Sequence, residues 1–334
     1  MKLTVKTIIL CGVNVVLLVL FGVCCALYSS AAGTLQAQAV AERWRGGNET
    51  PYAQVSLYRD SSDAMMYRDV YMFRQGIEDA LVAASLDPEA NEMIFTDAFC
   101  VVDKINVSSA KTKNVETTLY AVGGDFFTFH PLKLSSGTYI AERDLNRDLV
   151  VIDRELSWTL FGSVDTVGLT LTVGGNEYIV AGVVERDDDF FSAKVSQPVS
   201  AIYMPFAAVY DYETAVITSY EAVMPNPVDN FAMDTMKNLS TSGEFVENSE
   251  RFKLANISDL IFSFGKRAIS TSGVSCPTWE SAARLCEDYL ALIAALAAVF
   301  VLLPAVFTVI LIVRGYLALK KTGKRVANRI REKY

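Results

Sequence analysis

The sequence predicts a mixed α+β domain, outside the membrane and one- or two-lobed, held between two transmembrane helices. Three observations carry this. Two long windows contain no charged residue, short strands alternate with amphipathic helices between them, and charge is distributed very unevenly along the 334 residues. Over half of the residues are hydrophobic and the mean hydropathy is +0.27, high for a chain with so many acidic groups.

The first window, Thr7 to Leu27, is 21 residues long, and the second, Leu290 to Val313, is 24. At 1.5 Å of rise per residue each crosses a hydrocarbon core of roughly 30 Å, where a helix satisfies its own backbone. Asn14 and Pro304 are tolerable inside such helices and mark packing surfaces or bends. A signal peptide competes for the first window, with Ala37-Gln38-Ala39 as its small-x-small site. The apolar stretch is longer than usual for that and the site lies about ten residues beyond it, so a retained anchor is expected.

The net charge of −8 hides an asymmetry: residues 28–289 sum to −17, while the stretch from Arg314 onward sums to +7. Positive residues flank the cytoplasmic side of a span. Lys2 and Lys6, with Lys320, Lys321, Lys324, Arg325, Arg329, Arg331 and Lys333, therefore put both ends inside. The expected order is a cytoplasmic N-terminus (1–6), a transmembrane helix (7–27), an extracytoplasmic domain (28–289), a second span (290–313) and a basic cytoplasmic tail (314–334). The acidic bulk argues against nucleic acid as a partner.

Between the spans, Ala31 to Trp44 reads as a helix ended by Gly46-Gly47. Tyr52 to Tyr58 alternates as a strand does, and Asp63 is placed to cap a helix with Val70, Phe73, Ile77, Leu81 and Ala84 on one face, followed by Pro88. Strands are expected at Met93–Val102, Val115–Val122 and Leu149–Ile152, then a short helix at Glu155–Phe161. Leu169–Val173 and Tyr178–Val184 flank Gly174-Gly175, a hairpin signal. Strands at Ser200–Met204 and Val216–Val223, a helix from Pro227 and a helical run near Leu260 come next. Trp279 opens a last helix leading straight into the second span. Hairpins and short strands favour α+β over a doubly wound sheet, with a weak lobe boundary near Glu185–Pro198.

No phosphate-binding G-x-x-x-x-G-K-[ST] occurs, and neither G-x-G-x-x-G nor G-x-S-x-G is present. No catalytic, cofactor-binding or metal-binding residues are assigned, and the chain reads as a non-enzyme. Glu185 with Asp187-Asp188-Asp189 is the densest acidic run; consecutive residues after a strand converge poorly on one ion, so a solvated loop is expected. His130, the one histidine, lies among apolar residues and is expected to be a hydrogen-bonded structural group. Trp158, Phe161 and Trp279 read as core, and Gly124, Gly137 and Gly168 as turn formers. Of the outside cysteines, Cys276 and Cys286 form the better disulfide candidate, leaving Cys100 over. Ala291 with Ala295 and Ala294 with Ala298, plus Gly12 and Gly22, would admit another helix closely, from a further membrane subunit or a second copy.

Several stretches in order carry a resemblance: Leu119–Phe127 (LYAVGGDFF), Leu134–Gly137, Leu149–Asp153, Leu160-Phe161-Gly162, Val167-Gly168, Tyr178–Val184 and Ile202–Phe206. Together they resemble the extracytoplasmic core domain of MacB/FtsX-type ABC transporter permeases. The resemblance implies a permease-like subunit worked by a separate cytoplasmic ATPase, passing motion through its helices to the outer domain. Family permeases carry three spans after this domain, whereas one apolar window follows it in this sequence, so a two-span form that departs from the family pattern is expected. The alternative is a membrane-anchored binding or scaffold protein without ATP coupling.

Overall fold

In the computed structural model, residues 5–47, 49–86, 94–195, 199–212, 216–263 and 276–331 are described. They fall into two compact units. One comprises the described residues of Met1–Gly33, Leu254–Phe264 and Asp288–Tyr334; the other those of Thr34–Lys253 and Gly265–Glu287.

The second unit is built on one ten-stranded sheet. In chain order its strands and helices are α2 (Val40–Arg45), β1 (Tyr52–Tyr58), α3 (Tyr67–Ala83), β2 (Thr96–Ser108), β3 (Val115–Gly124), α4 (Phe126–Phe129), β4 (Leu134–Gly137), β5 (Leu149–Asp153), α5 (Arg154–Phe161), β6 (Thr170–Val173), β7 (Asn176–Val184), α6 (Ser192–Val195), β8 (Ala201–Pro205), α7 (Phe206–Val209), β9 (Ser219–Pro225), α8 (Phe231–Leu239) and β10 (Glu244–Glu247). The strand order is β10-β1-β9-β2-β3-β8-β5-β7-β4, with β6 against β2 and β7. The β3–β8 and β5–β7 pairs are parallel and the others antiparallel. The segment near Glu185–Pro198 does not interrupt this sheet, because β8, the next strand in the chain, lies between β3 and β5.

Side chains alternate across a strand, and here both faces are covered. One face packs Val55, Leu57, Phe99, Leu119, Ile152 and Ile202 against Phe73 and Ile77 of α3, Leu156 and Leu160 of α5 and Met236 of α8. The other packs Cys100, Tyr120, Val122, Val151 and Tyr203 against Val40 and Ala41 of α2 and the phenylalanines of α4. The predicted hairpin forms with Val173 opposite Asn176. Gly174 and Gly175 (φ +58° and +89°) supply the left-handed backbone that a two-residue turn requires.

Several expected elements are displaced. The helix expected over Ala31–Trp44 is broken: a 3-10 turn (Gln36–Gln38) precedes α2, and Leu35 is extended. Asp63 lies in the 3-10 turn Ser61–Asp63 rather than capping α3. Met65 pairs with Ile217 as an isolated bridge, which keeps the chain extended until Met66. The α3 start is then closed by the Asp69 carboxylate, accepting from the Met66 N–H at 2.9 Å. α8 begins at Phe231 instead of Pro227, after Asn230 takes a left-handed conformation. β2 runs on to Ser108, and Met93 and Pro88 lie outside the described residues.

The first unit holds α1 (Val5–Ala32), α9 (Leu254–Ser263) and residues 288–331 of α10 (Thr278–Arg331). α1 and α10 are long and apolar enough to cross a membrane. α10 is unbroken for 54 residues despite Pro304.

Candidate functional site

Strand alternation places Gln54 and Ser56 of β1, with Glu221 of β9, on the face opposite Val55 and Leu57, and Ser56 stands directly across from Glu221. All three are buried. A buried polar group without a partner is costly, so their partners define what the sheet is tied to.

Gln54 holds the stretch between α1 and α2: its Nε2 donates to the Ala37 carbonyl at 2.9 Å, and its Oε1 accepts from the Val40 N–H at 3.3 Å. Ser56 Oγ lies 2.9 Å from Glu221 Oε1 and 2.8 Å from Asn248 Oδ1; its single hydrogen serves one of them at a time. Asn248 Nδ2 donates to Gln38 Oε1 at 2.7 Å. Arg251 donates to the same oxygen at 3.0 Å.

Arg251 is the hub. It is 6% exposed, and its guanidinium meets Glu280 of α10 through two nitrogens, at 2.7 and 3.1 Å, and Glu287 through Nε at 2.9 Å. Glu280 is fully buried and also accepts from Arg284, one helical turn on, at 2.8 Å. Arg284 in turn donates to Glu244 of β10 at 2.7 Å. Burial alone would raise the Glu280 carboxyl, but Arg251 and Arg284 outweigh it and hold it below the ordinary glutamate value. A carboxyl depressed on folding contributes stability at pH above its unfolded value, about 4.3, and loses it as pH falls through the folded value. The unfolding temperature of the full chain should therefore hold from neutral pH to about 5 and drop below about 4. Glu280→Gln should start lower at neutral pH and lose part of that acid slope; an unchanged slope in a melting series would refute the assignment.

The start of α10 is also seated by packing. The Trp279 ring lies 4.1 Å from His130, 5.8 Å from Phe126 and 6.2 Å from Tyr120. His130 Nε2 is 2.6 Å from Glu221 Oε2. The predicted structural histidine thus joins the polar face of the sheet to the aromatic seat of α10. The segment leading out of α1 and the first turns of α10 are both fastened to one network on β1, β9 and the residues after β10.

The other sequence candidates lie elsewhere. Asp189 accepts from the Phe191 and Ser192 N–H groups, closing the start of α6. Glu185 pairs with Lys133 at 2.6 Å. Among the described residues no group of His, Cys, Asp and Glu is arranged to hold a metal ion. Trp158 is not core: it is 63% exposed, because α5 buries Leu156, Ser157 and Leu160 and turns Trp158 outward. It lines an open cleft of about 580 Å³ with Arg154, Glu155, Glu185 and Arg186. Phe161 and Trp279 are partly buried against the core. Gly124, Gly137 and Gly168 all have positive φ, as turn formers do.

The expected Cys276–Cys286 disulfide is not formed. Cys276 precedes the first residue of α10, Thr278, whereas Cys286 is carried within that helix, more than two turns further on. In the apolar helices, Ala291 is buried and Ala298, Gly12 and Gly22 are exposed.

The family model of the MacB-like periplasmic core domain matches residues 15–236. The chain belongs to that family. MacB 2 of Aeromonas hydrophila, described as a macrolide export ATP-binding/permease protein, is 35% identical over 101 residues, 30% of this chain and 15% of that protein. MacB of Neisseria gonorrhoeae is 29% identical over a stretch of the same length. The chain thus covers about 15% of the length of these curated relatives. Of solved structures, the periplasmic region of MacB from Actinobacillus actinomycetemcomitans is similar at 17% identity, covering 65% of this chain and 96% of that one, with a TM-score of 0.42. The extracellular domain of the noncanonic ABC-type transporter YknZ from Gram-positive bacteria matches at 14% identity and a TM-score of 0.39, covering 59% of this chain and 98% of that one. By the family match the sheet unit is a MacB-like domain, flanked in sequence by two helices apolar enough to span a membrane.

Proposed function

We propose that this chain is a non-catalytic, permease-like membrane subunit of an ABC system, energised by a separate cytoplasmic ATPase, with its MacB-like domain outside and both termini inside. α10 is the transmitting element. The observation that carries the reading is the ionic clamp of Arg251 on Glu280 and Glu287. One continuous helix extends from that clamp through the apolar window to the basic segment at Lys320, Lys321 and Lys324. A helix clamped at one end and cationic at the other suits transmission of a displacement, and an acidic surface on the ATPase would complement the cations. Under this reading the lipid bilayer surrounds residues 7–27 and 290–313, and a further membrane subunit or a second copy packs on the small residues of the spans.

A mild-detergent pull-down of the full-length protein from its native membrane tests this. An ABC ATPase should be retained in stoichiometric amount and lost when the basic residues from Lys320 to Lys324 are replaced by glutamine. Recovery without any ATPase, under conditions that hold a known ABC complex together, would defeat the transporter reading. The cleft beside the exposed Trp158 favours a second reading, a membrane-anchored extracytoplasmic binding or scaffold protein without ATP coupling. Retention of outer-face proteins alone, abolished by Trp158→Ala, would support that instead.

A further inference from the structure

Helix α9 groups with α1 and the apolar part of α10, not with the sheet that precedes it in the chain. Its sequence, LANISDLIFS, is amphipathic. Ile257 is 1% exposed and Leu260 and Ile261 are partly buried, so one face is occupied by protein. Leu254, Ser258 and Phe262 succeed one another at four-residue spacing and form a neighbouring line on the helix. Its two apolar members are uncovered, with Ser258 partly buried between them: Leu254 is 62% exposed and Phe262 91%, against 54% for Phe190 in the sheet unit. The same unit presents exposed apolar side chains along α10, including Leu292, Leu296 and Val299. Tyrosines stand at the edges of both apolar windows, Tyr28 after Leu27 and Tyr289 before Leu290, where the membrane–water boundary favours aromatic rings.

We propose that α9 lies in the outer interface of the bilayer, with Leu254 and Phe262 inserted at the boundary between headgroups and acyl chains. The partner is a phospholipid surface. The two inserted side chains are apolar and uncharged, so burial of hydrocarbon drives the contact and anionic headgroups are not required. The proposal rests on the reading that α1 and α10 span the bilayer, since only then does their apolar surface continue into lipid beside α9.

The test uses the full chain reconstituted in phosphatidylcholine vesicles without bromine, with bromine on the acyl chains near the glycerol, or with bromine near the chain ends. Phe262→Trp is compared with Leu303→Trp in the apolar window and Phe190→Trp in the sheet unit, each corrected for wild-type emission from the three native tryptophans. Added emission from Trp at 262 should fall about twofold or more with bromine near the glycerol, and that at 303 with bromine near the chain ends, while that at 190 stays unchanged in both. Quenching at 303 without quenching at 262 overturns the interfacial helix and leaves the spans intact. A blue-shifted but unquenched emission at 262 overturns it too, by assigning the line to a protein partner or a second copy. No quenching at 303 removes the spanning reading itself and the proposal with it.

Discussion

Replacing Arg251 by alanine is expected to destabilise the sheet unit by about 3–5 kcal/mol, the usual cost of removing one partner from a buried ion pair. The size reflects the groups left behind. Glu280, fully buried, keeps Arg284 but loses two hydrogen bonds; Glu287 loses the bond from Arg251 Nε; and Gln38 Oε1 loses one of its two. Glu280 is 0% exposed, so water cannot replace its lost donors without moving the first turns of α10. In a thermal melt of the full chain the shift should be on the order of 10 °C. Arg251→Met with Glu280→Met should be milder than the sum of the single changes, because an apolar pair removes the stranded charge along with its partner. Strict additivity would mean that the two groups do not act on each other. Lys104–Glu116, a pair with side chains 71% and 61% exposed, serves as the comparison; Lys104→Ala should cost under about 1 kcal/mol.

How far the sequence discloses this molecule depends on the range of the interaction. β1 and the Gly174-Gly175 hairpin are legible because their signals lie within a few residues, alternation and two adjacent glycines; α5 is short and local too, and the structure shows Asp153 capping it. The α3 boundary is misplaced by a long-range effect, since the bridge between Met65 and Ile217 competes with Asp63 as a cap. Trp158 is misread because residue type alone suggests burial, whereas the short helix has room to bury one face only. The network is not legible at all. Arg251 and Glu280 are 29 residues apart, and Gln38 and Arg251 are 213 apart, so no local spacing announces them. The one available hint is the alternation in β1, where Gln54 and Ser56 alternate with Ala53, Val55 and Leu57. A strand half exposed to water would show the same pattern, and only its neighbours reveal that the polar face is covered.

Gly124→Ala is expected to destabilise the sheet unit by about 3 kcal/mol or more, a large effect for one methyl group. Two costs combine. Its φ of +64° is a left-handed conformation that strains any residue with a Cβ by about 1 kcal/mol or more. A Cβ built there would also lie 2.3 Å from the Asp97 carbonyl oxygen and 2.9 Å from its carbon, and backbone atoms cannot rotate aside as a flexible side chain does. The displaced strands are pinned by neighbours: Ala98 pairs with Gly124, the Gly124 N–H donates to Glu142 at 2.8 Å, and Asp97 and Glu142 share Arg74. Gly174 provides the control, because its φ is +58° and a Cβ added there would meet nothing within 4 Å. Gly174→Ala should therefore cost only the conformational part, about 1 kcal/mol. The difference between the two variants in denaturant or thermal unfolding isolates the steric contribution at the end of β3. Equal effects at both positions would show that the Asp97 backbone gives way freely, and that Gly123-Gly124-Asp125 is needed only for its turn.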